Sequence, residues 1–138
     1  MKLQAVLSIG FCLIVSAAVA ESRIDEAVRL SKLTLSAMEC ANFANNDVDA
    51  QRLQDVALSA GKKFLDALPK LSQEEMKIAG PNIAMLWRGV YGPSTDFVLG
   101  RAWEIMSGSA YKSLGDDTSK WDREKVRRYS EKNCALIQ

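Results

Sequence analysis

The stretch from Pro93 to Gly115, P-S-T-D-F-V-L-G-R-A-W-E-I-M-S-G-S-A-Y-K-S-L-G, is the longest segment of the chain with a clear helical period. Ser94 or Thr95 offers a side-chain oxygen to cap its first turn, and Gly115 suits a left-handed C-terminal cap. At about 100° per residue, one broad side is apolar. This side holds Val98, Leu99, Ala102, Trp103, Ile105, Met106, Ala110 and Leu114. An apolar arc this wide predicts a helix at the centre of a bundle.

The opposite side of this helix is the candidate interaction surface, which we call the polar face. It consists of Phe97, Arg101, Glu104, Gly108 and Tyr111. Tyrosine and arginine are frequent hot-spot residues of protein interfaces, so the pattern favours binding. The alternative is an ordinary surface, since scattered exposed aromatic residues and ion pairs three positions apart are common.

Two glycines interrupt the same helix. A glycine inside a helix costs about 1 kcal/mol relative to alanine, so Gly100 and Gly108 need a reason to be there. Gly100 and Ser107 lie at the edge of the apolar arc, and we expect another helix to approach closely at that edge. The alternative is a tolerated weakness.

The N-terminus has the pattern of an export signal. Lys2 is followed by a mostly apolar run over residues 3–19, which ends in Ala18-Val19-Ala20, a small-x-small cleavage pattern. We predict that residues 1–20 are a signal peptide cut after Ala20 and that 21–138 form a single helical domain. We expect this domain to be periplasmic or secreted. The alternative is an uncleaved membrane anchor. After cleavage we expect no membrane span.

The charge of the mature chain is balanced. Without Lys2, the 18 basic residues become 17, against 17 acidic ones. Nucleic-acid binding needs concentrated positive charge, so we expect no nucleic-acid partner.

Cleavage would leave two cysteines, Cys40 and Cys134. In an oxidising compartment such a pair predicts one disulfide, which would close a long loop. The alternatives are two free thiols or a redox site, although a redox pair usually has C-x-x-C spacing.

Four further helical segments are predicted, so the expected fold is an all-α bundle of about five helices closed by the Cys40–Cys134 disulfide. No stretch shows the alternation of a strand. In helix three, Ser72 and Glu75 have the spacing of a capping box. Pro81 leaves open whether the segment over 82–91 is a separate helix or follows a kink. The four further helices are predicted over 24–43, over 48–68, over a short segment that starts at Ser72, and over 120–135.

The chain lacks the residues of most catalytic and metal sites. It contains no histidine, which removes the Ser-His and Cys-His pairs and the common zinc sites. We expect no metal, cofactor or catalytic residues. A pair of carboxylates can hydrolyse glycosides, and Glu104 is the best of five candidates for that role. The others are Glu39, Glu74, Glu75 and Asp96.

The segment Glu39-Cys40-Ala41-Asn42-Phe43 resembles the Cys-x-x-Phe segment of the small periplasmic acid-stress chaperones. This resemblance implies an exported, helical protein with a single disulfide. It covers five residues, and the second cysteine lies much further along this chain, so we assign no family.

Three functions follow as expectations. The first is a non-catalytic module that binds another envelope or secreted protein, as an inhibitor or a chaperone would. The second is a cell-envelope hydrolase that uses carboxylates. The third is a carrier that holds a small apolar ligand between its helices.

Overall fold

A computed structural model describes the backbone over residues 4–138 and the side chains over 22–138. Within residues 4–138 the chain forms five α-helices and four short 3₁₀ turns, with no strand. The helices are α1 (Gln4–Phe43), α2 (Asp47–Ala67), α3 (Gln73–Ala79), α4 (Thr95–Ser113) and α5 (Trp121–Glu131). The predicted all-α bundle of about five helices is confirmed.

The predicted helix caps are present. The side chain of Ser72 accepts from the backbone N–H of Glu75, and Glu75 accepts in return from the N–H of Ser72, which completes the capping box. At the start of α4, the Ser94 hydroxyl accepts from the N–H of Phe97 at 3.2 Å. Gly115, just beyond α4, has a φ of 81° and supplies the predicted left-handed turn.

The centre of the bundle is α1 and not α4. The pairing of α1 with α2 is the most extensive in the fold, and α4 packs on both. The buried side of α4 is narrower than the predicted apolar arc, because Ile105, which lies in that arc, is 42% exposed. The fully buried residues of α4 are Val98, Leu99, Ala102 and Ala110. The apolar residues on two sides of the segment 24–43 predict a mostly buried helix, and α1 is buried there as expected. Periodicity did not show which of the two helices has the more extensive contacts.

Gly61 in α2 is a point of close packing between helices, and it was not predicted from the sequence. A Cβ atom at Gly61 would lie 2.5 Å from Cδ2 of Leu99 in α4 and 3.0 Å from Cγ2 of Thr34 in α1. Three helices therefore meet at a residue without a side chain. The helix approach that we expected at Gly100 occurs here instead.

The segment between α3 and α4 folds back on α1 as a loop with one 3₁₀ turn, Met85–Arg88. Trp87 is buried, packs on Phe64 with the ring centroids 5.0 Å apart, and donates its indole N–H to the carbonyl of Ser31 at 3.1 Å. The hydroxyl of Ser31 accepts from the N–H of Ala84 at 3.4 Å. The segment is therefore neither a separate α-helix nor the kinked end of α3.

The disulfide joins α1 to the C-terminal turn. Cys40 and Cys134 are bonded, both are buried, and their Cα atoms lie 5.5 Å apart. The last helix was predicted to reach 135, but α5 ends at Glu131, because Asn133 takes a left-handed conformation with a φ of 54°. This turn directs Cys134 back towards Cys40. The C-terminus is also fixed by Arg52, which donates to the carbonyl of Ile137.

Helix α1 begins at Gln4 and not at the predicted 24. No glycine or proline lies between residues 11 and 43 to end a helix. The predicted signal peptide, with its cut after Ala20, lies outside the residues whose side chains are described, and it stays a prediction. Within residues 22–138, whose side chains the structure describes, no helix has an apolar stretch of membrane-spanning length.

Candidate functional site

The polar face of α4 points away from the bundle. Phe97, Arg101, Glu104, Gly108 and Tyr111 are all exposed, and they follow one another along nearly four turns of helix. The opposite side of α4 is fixed in the core. The structure therefore brings the five predicted residues together on one continuous surface, with a rigid support behind it.

Phe97 stands at the N-terminal end of this face. Its ring packs directly on Gly92 and occupies the space that a side chain at position 92 would need. The ring nevertheless remains 48% exposed. The turn into α4 thus supports one side of the ring and leaves the other side open.

Tyr111 stands at the C-terminal end and is supported from α5. Its ring lies 5.8 Å from the ring of Trp121, and Nζ of Lys125 lies 5.8 Å from its centroid. Trp121 is held in turn by its indole N–H, which donates to the carbonyl of Gly115 at 2.9 Å. Tyr111 is still 44% exposed. The sequence reading did not place Trp121 and Lys125 beside this face.

Arg101 and Glu104 form an ion pair in the middle of the face. Nη1 of Arg101 lies 3.2 Å from Oε2 of Glu104, and their side chains are 54% and 70% exposed. An exposed pair with this spacing contributes a few tenths of a kcal/mol to stability at most. The pair therefore leaves both charged groups accessible to a partner.

Gly100 and Gly108 open onto solvent. A Cβ atom at either position would meet no described atom within 4 Å. The prediction that another helix of the bundle approaches at Gly100 is therefore wrong. Gly100 borders a shallow groove of about 370 Å³ between α2 and α4, whose walls include Leu58 and Trp103. Both glycines leave room for something outside the described chain.

The surroundings of Glu104 do not resemble a hydrolytic site. A general acid for glycoside hydrolysis works from a desolvated position with a second carboxylate across the scissile bond. Glu104 is mostly exposed and stands beside a cation on a convex surface. Among the described residues, no group of three or more cysteine, aspartate or glutamate side chains is arranged to hold a metal ion.

The buried carboxylate of Glu75, another of the five acidic candidates, has a structural role. The backbone N–H of Ser72 and the guanidinium of Arg23 hold the pKa of Glu75 below its ordinary value of 4.5. Nη2 of Arg23 lies 2.7 Å from Oε1 of Glu75. This pair ties α3 to α1, so the carboxylate of Glu75 is engaged in holding the fold together.

The surface depressions of the described part are open grooves. One of them, of about 510 Å³, lies between the α1–α2 turn and α5 and is lined largely by polar and charged side chains. The groove of about 370 Å³ beside Leu58 and Trp103 is mainly apolar but equally open to solvent. A carrier of an apolar ligand needs a pocket that buries most of that ligand, and an open groove does not.

Comparisons with protein families, with curated proteins and with solved structures find no match to this chain.

Proposed function

We propose that this chain is an exported, non-catalytic module that binds another protein through the polar face of α4. The observation that carries the proposal is the arrangement on that helix. Two half-exposed aromatic rings, Phe97 and Tyr111, flank an accessible Arg101–Glu104 pair on a rigid scaffold. Aromatic and arginine side chains held in place before binding lose little conformational entropy on complex formation.

The compartment is part of the proposal. The apolar leader and its small-x-small end support export, and the Cys40–Cys134 disulfide suits an oxidising environment. We place the mature protein in the periplasm or outside the cell, where its partner is an envelope or secreted protein.

The hydrolase and the carrier are weaker candidates. The exposed position of Glu104 disfavours the first, and the open grooves disfavour the second. The hydrolase can be tested directly. The pure protein is expected to release no sugar from cell-wall glycan, and Glu104→Gln is expected to leave that result unchanged.

Site-specific photo-crosslinking tests the binding surface. A photoreactive phenylalanine analogue is placed at Phe97 or at Tyr111 of the full chain in its own cells. The control position is Val126 in α5, which is also about half exposed, at 53%. We expect a discrete crosslinked product from positions 97 and 111 that position 126 does not give.

A charge reversal supplies the second readout. Arg101→Glu is expected to reduce the crosslinked product at position 97. Lys77→Glu is the matched control, since Lys77 forms an exposed pair with Glu74 at the same spacing on α3. Equal products at all three positions, or equal effects of both reversals, would refute the proposed surface.

A further inference from the structure

Around Glu104, the exposed surface of α4 formed by the polar face and the neighbouring Gly100 reads nearly the same in both directions, apart from Arg101, whose counterpart is Ser107. Glu104 lies at its middle, Phe97 and Tyr111 lie seven positions before and after it, and Gly100 and Gly108 lie four positions before and after it. All five are exposed. An isologous dimer brings the same patch of two copies together about a two-fold axis. With the axis at position 104, the symmetric spacing sets Phe97 level with Tyr111 and Gly100 level with Gly108 of the other copy.

We propose that the protein bound by this face is a second copy of the chain, with the two α4 helices antiparallel and a two-fold axis beside Glu104. The inference rests on the proposed function, since it names the partner of the same surface. In this arrangement Phe97 of one copy lies level with Tyr111 of the other, at both ends of the contact. Offset or edge-to-face contact between such rings adds to the burial of apolar surface.

The charges of the face select the antiparallel direction. Arg101 and Glu104 have opposite charges and lie three positions apart, with Glu104 at the proposed axis and Arg101 about 4.5 Å from it along the helix. In an antiparallel pair the two Glu104 side chains face each other, and one Arg101 flanks them on each side. A parallel pair in register would set Arg101 against Arg101 as well as Glu104 against Glu104, which is less favourable.

The two glycines allow the helices to approach. Packed helices lie about 8–10 Å apart, depending on the side chains between them. Gly108 lies nearly level with Arg101 of the other copy. Because Gly108 has no side chain, it leaves space for the aliphatic part of that arginine beside the Glu104 side chains. Neither Gly100 nor Gly108 has a described neighbour within 4 Å of a Cβ position in its own chain. Contact with a second copy would supply one.

The same charges argue against other occupants. The five residues of the face carry one cation and one anion, and Lys125 stands at the Tyr111 end, which is far from the concentrated positive charge that an anionic lipid surface or nucleic acid requires. The matching of aromatic ring with aromatic ring and of glycine with glycine about Glu104 favours a second copy over an unrelated protein.

The contact is small. From Phe97 to Tyr111 the helix rises about 21 Å at about 1.5 Å per residue, so the pair buries less than the roughly 1,200–2,000 Å² of a stable interface. We therefore expect a weak, reversible dimer, which requires measurement of the mature chain up to about 1 mM.

Sedimentation equilibrium with a charge swap is the first test. Arg101→Glu places four like charges at the contact and is expected to weaken the dimer at least about tenfold. The double variant Arg101→Glu/Glu104→Arg restores two charges of each sign at the contact and is expected to return to within about threefold of the original affinity. Lys77→Glu, as the matched control, should leave the dimer unchanged.

Cysteine trapping tests the geometry. Two cysteines form a disulfide only when their Cα atoms come within about 7 Å, so a Glu104→Cys chain should link to itself at the axis. A Phe97→Cys chain should not, because its two copies of position 97 lie about 21 Å apart along the helices. A mixture of Phe97→Cys and Tyr111→Cys chains should form the mixed dimer.

The outcomes separate this inference from the proposed function. A chain that stays monomeric to about 1 mM, a dimer that ignores Arg101→Glu, or a Phe97→Cys chain that links to itself would overturn the antiparallel dimer. If photo-crosslinking at positions 97 and 111 then captures a different protein, the polar face is a binding surface but its partner is not a second copy. If it captures nothing beyond the control at position 126, both the binding surface and the dimer are refuted.

Discussion

Gly61 and Gly108 are the same residue in the interior of two neighbouring helices, and their surroundings are opposite. At Gly61, Leu99 and Thr34 occupy the space that a side chain would need. At Gly108 the space is open among the described atoms. Gly61 lets three helices meet, and their close packing offsets the low helix propensity of glycine. Gly108 makes no such contact within the described chain, so we look for its role in contacts with another molecule.

This contrast extends to the regions around the two glycines. The packing of α1 on α2 holds the largest buried side chains and ends at the disulfide, so changes there should act on stability. The polar face of α4 contributes little to stability and should act on binding. The following predictions test that division.

Removal of the disulfide should have the largest effect. The bridge joins positions 94 apart, and closing a loop of that length stabilises by about 4–5 kcal/mol through the entropy of the unfolded chain. Domains of this kind have a total stability of about 5–15 kcal/mol. Cys40→Ala/Cys134→Ala should therefore lose a large part of the stability, measured by urea unfolding. A loss below about 1 kcal/mol would show that the bridge is not the main restraint on the C-terminus.

Alanine at the two glycines should change stability in opposite directions. Gly61→Ala gains up to about 1 kcal/mol in helix propensity but forces Leu99 and Thr34 apart, which costs about 1–3 kcal/mol in a packed core. We expect net destabilisation of about 1 kcal/mol. Gly108→Ala gains the propensity without the clash and should raise the melting temperature. Both variants are compared by thermal unfolding, and a shift of the same sign in both would contradict the comparison.

Acid stability should depend on Glu75. The folded-state pKa of Glu75 lies below its ordinary value of 4.5, so the unfolded chain takes up this proton first as the pH falls. The stabilisation is complete above the ordinary value and declines as the pH falls through the lower, folded-state value. Glu75→Gln should flatten that decline in urea unfolding measured from pH 6 to pH 2. Glu74→Gln, at the exposed neighbour, is the control and should keep the original slope.

Charge reversal at Arg101 should have the smallest effect on stability. Arg101→Glu is expected to change the free energy of unfolding by less than about 0.5 kcal/mol, the usual range for an exposed site. The same variant should clearly weaken binding through the polar face. A larger loss of stability would mean that Arg101 belongs to the fold and not to a binding surface.

The sequence predicted what depends on neighbours along the chain. Helix type follows from spacing of three and four residues, and the caps at Ser72 and Ser94 need only a side-chain oxygen before an apolar run. The polar face followed from the same periodicity, because residues that share one side of a helix stay together wherever the helix packs. The Cys40–Cys134 pair followed from the count of cysteines.

Only the tertiary structure decided which helices pair and which residues meet across the chain. It placed α1 and not α4 at the centre, left Ile105 exposed, and brought Trp87 to the carbonyl of Ser31. These outcomes depend on contacts between different helices and loops, such as that of Trp87 with Ser31, 56 positions away, whose free energies compete with one another. Local periodicity shows which side of a helix is apolar, but it does not show which neighbour covers that side.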